Sequence, residues 1–266
     1  MGRVKIPSAV KHALRSEVGF GCPVRGCGNP YLEYHHFDPP YREKAHNDPN
    51  GMIALCAHHH DKADGGVFTV DQLREMKCDR ANAESVKGSL DWLRRNMVAL
   101  VGGSFYYETP RVVVIDDVEV VSVRRDEEGY LRLSVNLLSL EADERICIDM
   151  NSWSGIGEPI DLRCPPQGKE LEVSYENGDY IYLRFSEFSC PGDAYEKYRN
   201  KGFLDEKNVA YPITVLEVNL RIGGANIVLT PQASKFDWIT LSPSTVIRCG
   251  TGIKVSLGLP WKNLKK

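Results

Sequence analysis

The chain has 266 residues, of which 42% are apolar and 26% charged, and its net charge is −3. These values exclude a disordered, collagen-like or coiled-coil chain, and the length indicates one large or two ordinary domains. No apolar run is long enough for a membrane helix, and the first residues lack the apolar region of a signal peptide. The sequence therefore predicts a cytoplasmic protein with no membrane partner.

Helical patterns dominate the first 102 residues. Residues 9–18 predict a short helix, and Asp71 is suited to cap a second helix over 72–77. Apolar residues recur at three- and four-residue steps over 83–101, which predicts a third helix, and two glycines then end it. We therefore expect a helical linker at 81–102.

The rest of the chain carries strand patterns. Short stretches of alternating apolar and polar residues are separated by turn signals such as Asn177-Gly178 and Gly223-Gly224. Residues 103–266 are thus predicted to form a mostly antiparallel β domain. They contain no histidine and no catalytic signature. Target recognition, regulation, and contact with a second copy or another protein are the roles expected of this domain.

Histidine and cysteine cluster near the start of the sequence. All seven histidines lie in the first 60 residues, and three of the eight cysteines lie among them. Cys22 and Cys27 form a C-x4-C pair, and Cys56 and His59 form a C-x2-H pair some thirty residues later. Two close pairs with a long spacer are typical of a tetrahedral structural zinc site. The alternative is four unconnected residues, with the cysteines buried as small apolar side chains.

Two further stretches accompany these pairs. Residues 32–38 read Leu-Glu-Tyr-His-His-Phe-Asp and predict a short strand that ends in the His pair. Residues 50–60 read Asn-Gly-Met-Ile-Ala-Leu-Cys-Ala-His-His-His, with a helix predicted over 58–64. Together with Cys22–Cys27, they resemble the HNH endonucleases, whose core is a zinc-stapled ββα-metal fold. The resemblance covers about residues 5–78. It implies an α+β chain, with a small HNH nuclease domain at 1–80, the helical linker and then the β-rich domain.

The resemblance also implies roles for three histidines. His35 and His60 fall where the family ligates a divalent cation, for which Mg²⁺, Mn²⁺ and Ni²⁺ are candidates. His36 falls where the family has the general base that takes a proton from the attacking water, a task suited to a near-neutral imidazole. Because neighbouring side chains on a strand point to opposite faces, we expect an irregular strand end at this pair.

Several residues depart from the family pattern or are open to two interpretations. Asn50 is one residue farther from Leu55-Cys56 than the family asparagine, and Gly51 takes that slot, so either Asn50 or Asn47 braces the loop as a catalytic-site residue. Asp64 follows His60 by one helical turn and is either a further metal ligand or a solvated carboxylate.

The remaining candidates are charged or exposed side chains around the site. Arg25, Arg42 and Lys44 flank the site and either contact nucleic-acid phosphates or are merely solvated. His58 is expected to be an exposed neighbour without a role, and His46, in a proline-flanked polar loop, is open to the same interpretation.

The function expected from this resemblance is that of a metal-dependent endonuclease. It would hydrolyse phosphodiester bonds in nucleic acid, above all in double-stranded DNA. A separate β domain suggests regulation, which by analogy favours a role in phage defence or restriction. The alternatives are a catalytically silent, zinc-stapled DNA-binding or interaction module, and a scaffold in which the β domain performs the function.

Overall fold

A computed structural model of the protein describes residues 5–198 and 203–264; the outermost ends of the two expected domains, 1–4 and 265–266, lie outside the described residues. The described helices are α1 (Ser8–Glu17), α2 (Ala57–Asp64), α3 (Val70–Cys78) and α4 (Pro191–Tyr198). None of them is long and apolar enough to span a membrane. The structure is α+β and mostly β, as the sequence predicts.

The part of the chain that the structure describes contains nineteen short strands. They are β1 (Leu32–His36), β2 (Met52–Cys56), β3 (Gly88–Ser89), β4 (Met97–Val101), β5 (Ser104–Tyr107), β6 (Arg111–Ile115), β7 (Val118–Arg125), β8 (Leu131–Asn136), β9 (Cys147–Asp149), β10 (Ser152–Ser154), β11 (Asp161–Arg163), β12 (Glu170–Ser174), β13 (Tyr180–Phe188), β14 (Ile213–Ile222), β15 (Ile227–Leu229), β16 (Ser234–Phe236), β17 (Ile239–Leu241), β18 (Thr245–Ile247) and β19 (Thr251–Val255).

Residues 5–80, which we call the N-terminal unit, fold around an antiparallel hairpin. Strands β1 and β2 pair from Leu32 opposite Cys56 to His36 opposite Met52. All five residues of β2 are buried, because α1 and α2 both pack against the hairpin and cover it. Helix α2 begins directly after β2, so the order is strand, strand, helix. Helices α1 and α2 lie where the sequence predicts them.

Helix α3 begins earlier than the sequence pattern predicts. The N-cap is Thr69 rather than Asp71: its hydroxyl accepts a hydrogen bond from the backbone N–H of Gln72, and the Gln72 side chain accepts one from the Thr69 N–H. This reciprocal capping box satisfies two free donors at the helix start. Asp71 lies in the first turn, where its negative charge interacts favourably with the positive end of the helix dipole, although Asp71 is not the N-cap.

The prediction of a helical linker at 81–102 is wrong. This segment contains one 3₁₀ turn at Ala83–Ser85, the short strand β3 and the strand β4. The apolar steps that suggest a helix belong to separate elements, and Leu93, in the middle of the supposed stripe, is exposed. The five residues of β4 are all buried, as expected of a strand packed on both faces. The β domain therefore begins before residue 103.

The β domain contains two large sheets. One has seven strands in the order β19-β6-β7-β8-β9-β10-β3. The other has ten strands, of which β11 to β17 follow one another in sequence order. Its remaining strands form a branch at β14, where β4 pairs with β14, β5 with β4, and β18 with β5. Pairing is mostly antiparallel, and the β4–β14, β5–β18 and β6–β19 pairs are parallel. Apolar side chains from both sheets form one shared core. A mostly antiparallel β domain is thus confirmed.

The N-terminal unit is attached to the β domain by polar and apolar contacts. Arg15 of α1 is only 5% exposed, and its guanidinium donates to both carboxylate oxygens of Asp161, at 2.8 and 2.7 Å. It also donates to the hydroxyl of Tyr34 at 2.9 Å. Phe20 packs into the core of the β domain. A bidentate arginine–carboxylate pair of this kind fixes orientation as well as distance.

Candidate metal centres and cleft

Three cysteines and one histidine converge at the start of α2. The sulfur of Cys22 and that of Cys56 each lie 3.3 Å from Nδ1 of His59, and the sulfurs of Cys27 and Cys56 are 3.8 Å apart. Cys22 and Cys27 come from the turn after α1, whereas Cys56 ends β2 and His59 lies in the first turn of α2. The quartet predicted from the sequence is therefore assembled, and it can hold a metal ion.

These separations fit a tetrahedral ion with thiolate and imidazole ligands. Two sulfurs bound to zinc at about 2.3 Å lie about 3.8 Å apart, and a sulfur and a nitrogen about 3.6 Å apart. A hydrogen bond from the Cys22 thiol lowers the pKa of Cys56, whereas that same bond raises the pKa of Cys22 and burial raises the pKa of Cys27. Cys56 therefore loses its proton first, and the thiolate is the metal-binding form of the side chain.

A second group of ligand atoms lies on the other side of α2. His35 of β1 and His60 and Asp64 of α2 place one ligand atom each within 4.8 Å of the others. The Asp64 carboxylate is 3.0 Å from Nδ1 of His35 and 3.5 Å from Nδ1 of His60. Both histidines are buried, and Asp64 is largely exposed. Asp64 thus lies with the two histidines rather than apart from them.

His35 and His36 line the same cleft, which has a volume of about 330 Å³. The predicted irregular strand end is absent: β1 pairs regularly with β2 through His36. The two side chains point to opposite faces and still share the cleft, because it opens at the end of the hairpin. His35 faces Asp64 on α2, whereas the ring of His36 packs against Tyr41, with centroids 5.0 Å apart.

The tautomer of His36 follows from its hydrogen bond. Its Nε2 lies 3.0 Å from the backbone carbonyl of His46, and a carbonyl can only accept, so Nε2 carries the hydrogen. In the neutral ring, Nδ1 then holds the lone pair that can accept a proton. A backbone carbonyl that fixes the tautomer also fixes the orientation of the ring. The lone pair of the neutral His36 ring is therefore at Nδ1, an atom that is buried in this structure.

His46 holds the loop that supplies this carbonyl. Its Nε2 donates to the carbonyl of Pro39 at 2.9 Å, and its Nδ1 accepts from the N–H of Asp48 at 3.1 Å. Of the two interpretations, the structure does not support a merely exposed His46, because its ring is half-buried and bonded within the loop. Its position in a polar, proline-flanked loop gave no periodic signal, so only the folded loop reveals its contacts.

The loop after His36 is braced by Gly51 rather than by the side chain of Asn50. The Gly51 carbonyl accepts hydrogen bonds from the N–H groups of Phe37 and Asp38, at 2.9 and 3.2 Å. Asn50 is exposed in the preceding 3₁₀ turn and contributes its backbone N–H to Asp48. The Asn47 side chain donates to the carbonyl of Lys5 instead. The structure thus gives neither asparagine side chain a contact with the cleft.

The three predicted phosphate contacts differ in position. Arg42 lines the cleft beside His36. Lys44 is exposed farther along the same loop, and Arg25 is exposed in the turn between Cys22 and Cys27, at the four-residue cluster rather than at the cleft. His58 is exposed, as the sequence predicts.

Sequence reasoning missed Glu33. Its carboxylate lies 3.6 Å from Nδ1 of His60, so it adjoins the second group of ligands. Glu33 precedes His35 by two residues in β1, and residues two apart share one face of a strand. That two-residue spacing between Glu33 and His35 is the signal in the sequence that could have identified Glu33.

Scans against models of known protein families, curated proteins and solved structures found no match to this chain.

Proposed function

We propose that the protein is a metal-dependent endonuclease that hydrolyses phosphodiester bonds in DNA. The observation that carries the proposal is the cleft itself, which His36, oriented through Nε2, lines together with His35 and Asp64, two of the three grouped ligands. A potential base and a potential cation site in one cleft are the two parts needed to hydrolyse a phosphodiester.

Each cluster has its own role in this proposal. Cys22, Cys27, Cys56 and His59 hold a structural zinc ion, since four protein ligands leave no open position. His35, His60 and Asp64 hold a divalent cation with open positions, and a mixed imidazole and carboxylate set suits Mn²⁺ or Ni²⁺ as well as Mg²⁺. Such a cation supplies positive charge to the scissile phosphate and to the leaving oxygen.

The side chains of the cleft then act on the water and the substrate. His36 accepts a proton from the attacking water at Nδ1, while its Nε2–H stays bonded to the His46 carbonyl; because Nδ1 is buried in this structure, the side chains around the ring must first make room for that water. Arg42, at the rim of the cleft, contacts a phosphate next to the scissile one. A nuclease of this kind suits phage defence or restriction, with the β domain choosing or sensing the target.

The test is cleavage of supercoiled plasmid by matched histidine variants of the zinc-loaded protein. His36→Ala removes the base and should lower the rate by about 10²–10⁴-fold at any metal concentration. His60→Ala weakens the cation site, so excess Mn²⁺ should partly restore its activity. His58→Ala, an exposed neighbour on α2, is the control and should cut like wild type.

Three results would contradict the proposal. They are wild-type protein that cuts no DNA with Mg²⁺, Mn²⁺ or Ni²⁺, His36→Ala cutting at the wild-type rate, and His36→Ala being rescued by metal like His60→Ala. Wild-type protein that binds DNA but does not cleave it would favour a zinc-stapled binding module.

A further inference from the structure

A groove runs between α1 and the edge of the ten-stranded sheet. It consists of two adjoining hollows, of about 540 and 520 Å³, which share Lys5, Ile6 and Lys11. The first hollow continues along Arg15 to Asp161 of β11. We call the two hollows together the interdomain groove, because one wall belongs to the N-terminal unit and the other to the β domain.

The far end of the interdomain groove reaches the proposed cation site. Glu33 and His60 line the second hollow together with Tyr34. His60 is also one of the three grouped cation ligands, and Glu33 lies beside it. A chain molecule lying in the groove would thus end at the catalytic centre, on the side of β1 away from the cleft mouth at Arg42.

The charges in the groove fall into two classes. Arg15 is paired with Asp161, and Arg163 is paired with Glu170 and Glu172, so these guanidinium groups have their counter-charges within the protein. Lys5 and Lys11 form no ion pair with a carboxylate among residues 5–198 and 203–264. The ammonium group of Lys11 lies over the ring of Tyr34, 5.6 Å from its centroid.

Unpaired ammonium groups attract phosphates, and binding a phosphate there releases counterions from the nucleic acid. The wall between them is held by the buried Arg15–Asp161 pair and by the bond from Arg15 to the Tyr34 hydroxyl. The groove therefore does not need to form when substrate arrives, which lowers the entropic cost of binding.

We propose that the interdomain groove binds the phosphodiester backbone of one DNA strand next to the cleavage site, with Lys5 and Lys11 each contacting a phosphate. This inference rests on the proposed nuclease function for its choice of DNA. It gives the β domain a direct part in holding substrate, because Arg163 and Pro166 form the wall opposite α1.

The test measures the binding of fluorescent DNA by anisotropy. It uses zinc-loaded protein without added divalent cation, so that DNA binding is measured separately from cleavage. The variant is Lys5→Ala with Lys11→Ala. Its control is Lys235→Ala with Lys262→Ala, which removes the same charge from exposed positions outside the groove. Affinities for a labelled duplex, a single DNA strand and a single RNA strand are measured from 50 to 200 mM salt, roughly the range over which phosphate contacts are most visible.

The groove variant should bind duplex about tenfold more weakly than wild type, and the slope of log affinity against log salt should fall by about 1.8, or about 0.9 per lost phosphate contact. The control should keep the wild-type slope. Equal slopes for wild type and the groove variant would overturn the inference and leave the nuclease proposal intact. Tighter binding of RNA than of either DNA would overturn the choice of DNA. If the salt slope depends on the two lysines but the wild-type protein cleaves DNA with none of the metals, the groove inference is supported and the nuclease proposal is overturned.

Discussion

Gly51 lies where a side chain has no room. A Cβ built at this position would be 1.9 Å from the carbonyl oxygen of Asp38 and 2.9 Å from the ring of His46. Its carbonyl bonds to both residues that follow His36. The close backbone approach, rather than an asparagine side chain, therefore sets the position of the His36 ring.

Replacing Gly51 with alanine should push the 38–46 loop away from the hairpin. We expect a loss of about 1–3 kcal/mol in stability, typical of overpacking, and a larger fractional loss of cleavage, because the His46 carbonyl that orients His36 moves. The control is Gly65→Ala at the end of α2, where the Cβ would meet only ordinary contacts, the nearest at 3.4 Å. Thermal unfolding and plasmid nicking measure the two effects. An unchanged Gly51→Ala protein would contradict this role of the loop.

At the scale of elements, the junction of β2 and α2 connects the two groups of residues that could hold metal ions. Cys56 ends the strand and is the N-cap of the helix, and the helix then supplies His59 to one cluster and His60 and Asp64 to the other. The two groups of ligands point to different sides of one eight-residue helix. Fixing this helix at its start therefore positions residues of both groups.

Cys56→Ser should accordingly lose zinc and bind Mn²⁺ more weakly. The zinc content measured by mass spectrometry should fall from about one per chain, and Mn²⁺ binding measured by calorimetry should weaken, because binding energy at a closed zinc site is folding energy. Cys78→Ser, at an exposed cysteine in α3, should keep both. Wild-type Mn²⁺ affinity in zinc-free Cys56→Ser protein would show that the clusters are independent.

At the scale of the whole molecule, β4 decides where the second domain begins. It pairs in parallel with β14 through five residues and in antiparallel with β5. A chain cut at residue 103 loses this strand and leaves buried backbone groups without partners, which is costly in a core. Val86 and Leu90, also before the cut, are buried in the same core.

A fragment of residues 81–266 should therefore unfold in urea with a single cooperative transition, whereas residues 103–266 should aggregate or unfold without one. Circular dichroism of the two purified fragments makes the comparison. Equal cooperativity would show that β4 is dispensable and that the domain begins where the sequence pattern changes.

The sequence by itself determined which residues could bind a metal tightly. Spacing within each close pair is a local property, so Cys22-Cys27 and Cys56-His59 could be paired before any fold was known, and the structure brings their ligand atoms together. Periodicity and turn residues likewise predicted α1, α2 and most strands of the β domain. Periodicity and turn residues are local features of the sequence, so they indicate local backbone geometry.

Only the tertiary structure decided the features that depend on distant partners. Residues 97–101 form a strand because β5 and β14 lie on either side of them, and their apolar run is compatible with either helix or strand. The tautomer of His36 depends on a carbonyl ten residues away. The placement of Asp64 beside His35 likewise comes only from the fold, because contacts between elements leave no period in the sequence.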